Sequence, residues 1–256
     1  MLISRKGCLV VWLSAATAIA AWGSNAVAQE KKSRPKILYL THSADFVHDV
    51  LPFSESLLQT LGEQSGSFES VATRDCSLIN EGYLKEFSGL VFYTTGELPF
   101  SDEQKQAFLD FIKSGKAFVG IHSATATFYK WPEYGRIIGA YFDLHPWHQQ
   151  VGIKVEDPEH PAVKHLAPSF KLQDEIYQFK DFSKEKVHVL LRLDTNSVDL
   201  TKPTVHRTDK YFANAWTSEY GKGRVFYTAL GHGEDVWLDP RFQQHLVNGI
   251  RWALRE

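Results

Sequence analysis

Cysteine is nearly absent from the chain: 256 residues contain two, and a single methionine. Cys8 lies in an apolar N-terminal run. Removal of that run leaves Cys76 alone and excludes an internal disulfide even in an oxidising compartment. Stability must then come from a core, which a composition of 43 % hydrophobic and 13 % aromatic residues can supply. An excess of one charge is also lacking, with 28 Lys+Arg against 30 Asp+Glu. No basic stretch alternates with aromatics as a nucleic-acid groove requires, so nucleic acid is not an expected partner. Beyond the N-terminal run nothing approaches the roughly 20 apolar residues of a membrane span, so none is expected in the mature protein. Glycine-rich phosphate loops are missing too. Gly221-Lys-Gly223-Arg224 is too short for one and reads as a hairpin turn, so no nucleotide cofactor is expected.

The first 28 residues read as a secretory signal. Arg5 and Lys6 precede an apolar run over 8–22, and Ala26-Val-Ala28 has the small-x-small form of a cleavage site. Ser4-Arg5-Lys6 lacks the second arginine of a twin-arginine signal. The expectation is cleavage near Ala28, a short leader over 29–35, a single domain over 36–256, and a periplasmic or secreted location.

Within the domain, 36–41, 89–95 and 117–121 are short apolar runs rich in strand formers, and 68–73 is also strand-like. Helical spacing of apolar residues appears over 52–64, 78–87 and 101–114. This strand and helix order predicts an α/β fold of three layers, a mostly parallel sheet with helices on both faces. After residue 150 shorter strand candidates follow at 151–155, 187–193 and 212–216. A buried strand at 224–230 and an amphipathic closing helix at 241–254 complete the chain.

In parallel sheets, ligand sites lie at the carboxyl ends of the strands. That rule selects Thr41-His42, Thr94-Thr95-Gly96-Glu97 and His122-Ser123. Gly120-Ile-His122-Ser123-Ala124 has the shape of a nucleophile elbow with histidine at its tip, a position suited to a general base, a metal ligand or a hydrogen-bond partner of substrate. Asp143-Leu-His145-Pro-Trp147-His148 is the densest reactive cluster. His145 and His148 are candidates for a divalent metal, though a spacing of three on a proline-containing loop is a weak metal signature. His48-Asp49 and His232-Gly-Glu234 follow the first and last long strands, where they can converge on His122. Asp174-Glu175-Ile-Tyr177 offers paired acids before a short strand. His160, His165, His188, His206 and His245 read as structural or surface residues.

FVHD at 46–49, TTGEL at 94–98, GIHSATATFYKWPEYGRIIGAYFDLHPW at 120–147, DPEHPAVKHL at 157–166, DEIYQF at 174–179 and GKGRVFYTALGHGEDVW at 221–237 resemble the trehalose-utilisation (ThuA-like) family. The match runs in order through essentially all of the mature chain. It implies a fold like that of class I glutamine amidotransferases, whose elbow carries cysteine. Here the elbow carries His122, so glutamine hydrolysis should be absent. The resemblance also implies catabolism of disaccharides through 3-keto-glycosides, with a sugar 3-dehydrogenase acting upstream. The expected small-carbohydrate site takes His122, His145, His232, His48, Asp49 and Glu234 as acid–base groups, with Gly96, Glu97, Ser123, Asp143, Trp147, Glu175, Tyr177 and Trp216 around the substrate. A second reading is a non-catalytic carbohydrate-binding module in which Trp131, Trp147, Trp216 and Trp237 are stacking platforms.

Overall fold

A computed structural model describes residues 33–256, with Leu2 and Gly7 besides. Apart from Leu2 and Gly7, the predicted signal lies outside the described residues, as do residues 29–32 of the leader. Arg34–Glu256 forms one compact unit. No helix among the described residues is long and apolar enough to cross a membrane.

Fifteen strands and helices follow in chain order: β1 (Lys36–Leu40), α1 (Leu51–Ser65), β2 (Glu69–Thr73), α2 (Glu81–Leu84), β3 (Gly89–Phe92), α3 (Asp102–Lys113), β4 (Ala117–Ile121), α4 (Pro132–Ile138), β5 (Tyr141–Val155), β6 (Ser169–Lys180), β7 (His188–Leu193), β8 (Ala213–Tyr220), β9 (Gly223–Thr228), α5 (Glu234–Leu238) and α6 (Pro240–Leu254). Local chemistry sets several of these boundaries. Ser101 and Gln104 form a reciprocal capping box at the start of α3, where Asp102 and Glu103 complement the helix dipole. Asp239 caps α6 by accepting from Arg241 N, and Gly66 ends α1 at φ 66°. Between 76 and 87 the predicted helix divides. Asp75 caps a 3-10 turn, and Asn80 accepts from Tyr83 N to begin the single-turn α2, because short polar side chains compete for the backbone there.

The nine strands among the described residues join one sheet in the order β2-β1-β3-β4-β9-β8-β7-β5-β6. The first five are parallel, as predicted, and the last four alternate in direction. Alternate strand residues divide the interior into two apolar layers. Ile37, Tyr39, Val91 and Val119 pack with residues of α1 and α6, while Leu38, Leu40, Phe92 and Phe118 pack with α3 and α4. This gives the expected three layers.

The largest departure from the sequence reading is the β5–β6 hairpin. Residues 142–148, expected as a loop because of Pro146, belong to β5. Register shifts between Phe142 and Leu144 and between Leu144 and Trp147 accommodate the proline by interrupting the ladder. Asp174 to Tyr177, expected ahead of a short strand, instead lie inside β6, where every residue from Asp174 to Phe179 is buried.

His245 on α6 is buried, with Nδ1 on the Ala162 carbonyl at 2.9 Å and Nε2 without a partner. Burial lowers its pKa to about 4, against a smaller opposing effect of that carbonyl. The unfolded chain therefore binds a proton there first, so this contribution is complete above about pH 6.5 and declines toward pH 4. Unfolding free energies for wild type and His245→Phe between pH 4 and 7 should show a shallower slope in the variant, by up to about 1.4 kcal/mol per pH unit. Identical slopes would show that His245 is not held neutral.

Candidate functional site

The turn His122–Ala126 leaves β4 with His122 at φ 45°, a left-handed conformation that costs a non-glycine residue about 1–3 kcal/mol. Three hydrogen bonds hold it there. Nδ1 lies 2.6 Å from the Ala229 carbonyl beyond β9, and the His122 carbonyl accepts from Tyr227 Oη at 2.6 Å and Thr125 Oγ1 at 3.4 Å. A carbonyl only accepts, so Nδ1 carries a proton and Nε2 faces the site. Tyr177 Oη, a buried phenol whose pKa is raised by that burial, lies 2.7 Å from Nε2.

Glu175 on β6 is the centre of the arrangement. Its Oε2 lies 3.4 Å from His122 Nε2 and 3.4 Å from His232 Nδ1, and its Oε1 is 3.3 Å from His145 Nδ1. His122 Nε2 and His232 Nδ1 are 3.3 Å apart. Burial works to raise the Glu175 pKa, but hydrogen bonds and charge from His122 and His232 outweigh it and hold the carboxyl well below the usual range. In turn, its hydrogen bond raises His232 above an ordinary imidazole, against the effect of burial. His48, behind Phe46 and Val47, has its ring centre 5.0 Å from that of His122 and 5.3 Å from that of His232. Burial first, then the two facing imidazoles, lower its pKa to about 3, and its Nδ1 has no partner. Thr95 fixes this loop by donating to the Phe46 carbonyl at 2.7 Å.

Asp174 supports the same centre from the backbone side. It accepts from Gly231 N at 2.8 Å, Glu175 N at 2.9 Å and His232 N at 3.2 Å, yet complete burial still raises its pKa. Gly231, at φ 115°, makes the turn that presents His232, and its carbonyl accepts from Tyr93 Oη and Trp237 Nε1.

Of the residues singled out from sequence, His48, His122, His145, His232, Glu175 and Tyr177 converge. His148 joins them at the edge, its ring centre 5.1 Å from that of His232. The others do not orient these imidazoles. Asp143 pairs with His206 at 2.8 Å, Asp49 is exposed, and Glu234 is exposed in the first turn of α5. Glu97 accepts from Lys130 N, and Gly96 makes a left-handed turn at φ 77°. Ser123 is buried with Oγ unpartnered.

Trp147, Trp216 and Trp237 are fully buried and donate to backbone carbonyls of Asp199, Ile138 and Gly231, so none can be a stacking platform; Trp131 is partly buried. The metal candidates also change. The group whose ligand atoms lie within 4.8 Å of one another is His48, His122, Glu175 and His232, whereas His145 and His148 stand at its edge. The sequence assigns Asp174 no role of its own and Glu175 that of a substrate contact. The signal for Glu175 is its spacing of two from Tyr177, which in a strand puts both on one face.

An α/β sheet with a strained histidine elbow and imidazoles gathered at strand carboxyl ends defines the class of protein. The ThuA family profile, described as trehalose utilisation, matches residues 36–253, and the chain belongs to that family, which carries a carbohydrate-related role. A crystal structure of a ThuA-like protein from Bacteroides uniformis is similar at 26 % identity and a TM-score of 0.74, covering 89 % of this chain and 94 % of that one. Another from Parabacteroides merdae is 20 % identical with a TM-score of 0.66, covering 87 % and 90 %. A β-galactosidase from Bacillus circulans shares the fold alone, at 12 % identity and a TM-score of 0.50, over 86 % of this chain and 30 % of its own. No curated protein matches the chain.

The strain at His122 is testable apart from any chemistry. His122→Gly and His122→Ala both remove the imidazole, but only glycine adopts φ 45° freely, so chemical denaturation should find the glycine variant more stable by about 1 kcal/mol. Equal stability, or a more stable alanine variant, would show that the backbone there is unstrained.

Proposed function

We propose that the protein is an exported enzyme of disaccharide catabolism that cleaves the glycosidic bond of a 3-keto-glycoside supplied by a sugar 3-dehydrogenase. The observation that carries this reading is the gathering of His122, His145 and His232 around Glu175, with two of those rings reaching solvent. The side chains of His145 and His232 are 47 % and 24 % exposed, while that of His122 is fully buried.

A ketone at C3 acidifies the C2 proton. A base takes that proton, the C1–O bond breaks as the C1–C2 double bond forms, and an acid returns a proton to the departing oxygen. Addition of water to the product gives net hydrolysis. His145, at the solvent edge against Glu175, is placed to exchange protons with a bound sugar. His232, whose pKa is raised by Glu175, suits the acid. Tyr177, whose hydroxyl is positioned by the fold, is the group to donate to a developing oxyanion. Export rests on the N-terminal run and its Ala26-Val-Ala28 site. The carbohydrate-binding module loses support because three of its four tryptophans are in the core.

The test is turnover of 3-keto and unoxidised disaccharides by the mature chain. Activity is expected on the oxidised sugar only. His145→Ala and His232→Ala should each lower kcat by about a hundredfold or more, the scale of losing a positioned acid or base. His188→Ala, which removes a surface ring paired with Asp157, should leave kcat unchanged. Full activity in both site variants, or sugar binding without turnover on any keto-glycoside, would overturn the proposal.

A further inference from the structure

We infer that His122, His232 and Glu175 are the three protein ligands of a divalent first-row transition ion, of which zinc is the type, with an open fourth position facing His48. His122 Nε2, His232 Nδ1 and Glu175 Oε2 form a nearly equilateral triangle, with sides of 3.3, 3.4 and 3.4 Å. Zinc bonds to nitrogen and carboxylate oxygen are about 2.0–2.2 Å, and a tetrahedron's edge is roughly 1.63 times its bond, giving about 3.3–3.6 Å. An octahedron's edge, roughly 1.41 times the bond, would be shorter than all three at those lengths. The triangle therefore has the size of one face of a four-coordinate site.

The orientation of each donor agrees with that size. The Ala229 carbonyl takes the Nδ1 proton of His122 and leaves Nε2, which Tyr177 Oη also approaches at 2.7 Å, as the nitrogen to ligate, as the outer partner of a metal-bound histidine does. Asp174 fixes the backbone of both other ligands through Glu175 N and His232 N. His48 offers a donor atom within 4.8 Å of the others, a looser bound than the sides of the triangle, and its buried Nδ1 is unpartnered. An oxygen in the fourth position, from water or from a substrate ketone or hydroxyl, would lie beside that imidazole. Two nitrogens and one oxygen favour zinc, cobalt or nickel over magnesium and calcium, which take oxygen ligands.

The binding geometry stands independently of the proposed reaction; the ion's use, polarising the ketone oxygen of an oxidised sugar, rests on that reading, and with the ion bound His232 is a ligand and proton transfer to the departing oxygen falls to His145. Binding is therefore measured without sugar. Untagged mature chain, freed of metal by a chelator, is titrated calorimetrically with Zn²⁺, Mg²⁺ and Ca²⁺, and with Co²⁺ while its visible spectrum is recorded. The expected result is one Zn²⁺ or Co²⁺ per chain, the intense bands of four-coordinate Co²⁺, and no comparable uptake of Mg²⁺ or Ca²⁺. His232→Ala and Glu175→Gln, verified as folded by circular dichroism, should bind at least about a hundredfold more weakly. His48→Ala should stay within about threefold of wild type, and His188→Ala should match it. Failure of folded wild type to take up either transition ion would overturn the inference, as would unchanged affinity in both ligand variants. A loss in His48→Ala equal to that in His232→Ala would overturn the open position. If the ligand variants fail to fold, the wild-type Co²⁺ spectrum decides alone: bands of six-coordinate intensity contradict the site. Ion binding without turnover would refute the proposed reaction and leave the site standing.

Discussion

Glu175 is a carboxylate taken largely out of water and surrounded by imidazoles, and the functional end of the sheet is arranged around that pairing. A buried carboxylate without partners would be driven toward its neutral form. Here His122 and His232 reverse the effect of burial, and His145 meets the other oxygen. The neighbouring Asp174 shows the opposite balance in the same strand: three backbone N–H groups accompany it, yet burial keeps its pKa raised. Adjacent acids thus divide the work. Glu175 meets the imidazoles, while Asp174 ties β6 to the loop after β9.

The fold makes this pairing possible by joining two unlike halves of one sheet. The parallel half supplies loops after β1, β4 and β9, which carry His48, His122 and His232 to one end. The antiparallel half supplies the β5–β6 hairpin with Glu175, Tyr177 and His145. Elements more than a hundred residues apart in sequence meet at His122 and His232, so the site exists only in the folded chain. One of the non-glycine residues with positive φ, His122, lies at the same place. The positive φ of His122 is held by bonds to Ala229, Tyr227 and Thr125.

The parallel half was legible in the sequence because its strands are continuous apolar runs closed by turn and cap signals, as at Gly66 and Ser101. His48, His122 and His232 followed from the strand-end rule, which needs only the strand boundaries. The hairpin was harder to read. Pro146 suggests a loop, and only the pairing with β6 shows that irregular register absorbs it. Glu175 has a polar neighbour on one side and an apolar one on the other, so local pattern could not show that Asp174 to Phe179 is buried throughout. The tryptophans misled for a related reason: an indole serves as a core residue or a sugar platform, and what decides is a backbone carbonyl within reach of Nε1, such as those of Asp199 and Ile138. Asp143 and Glu234 were drawn toward the site by proximity in sequence, and a partner in His206 and an exposed helix turn place them elsewhere.

That Glu175 organises the imidazoles is tested most directly by nuclear magnetic resonance titration of the histidine side chains in the metal-free protein, wild type against Glu175→Gln. The substitution keeps the shape of the side chain and removes its charge. Its hydrogen bond and charge are the causes that raise the His232 pKa against burial, so the account predicts that the His232 midpoint falls in the variant while that of His188, paired with Asp157, does not move. An unchanged His232 midpoint in a folded Glu175→Gln protein would contradict the account.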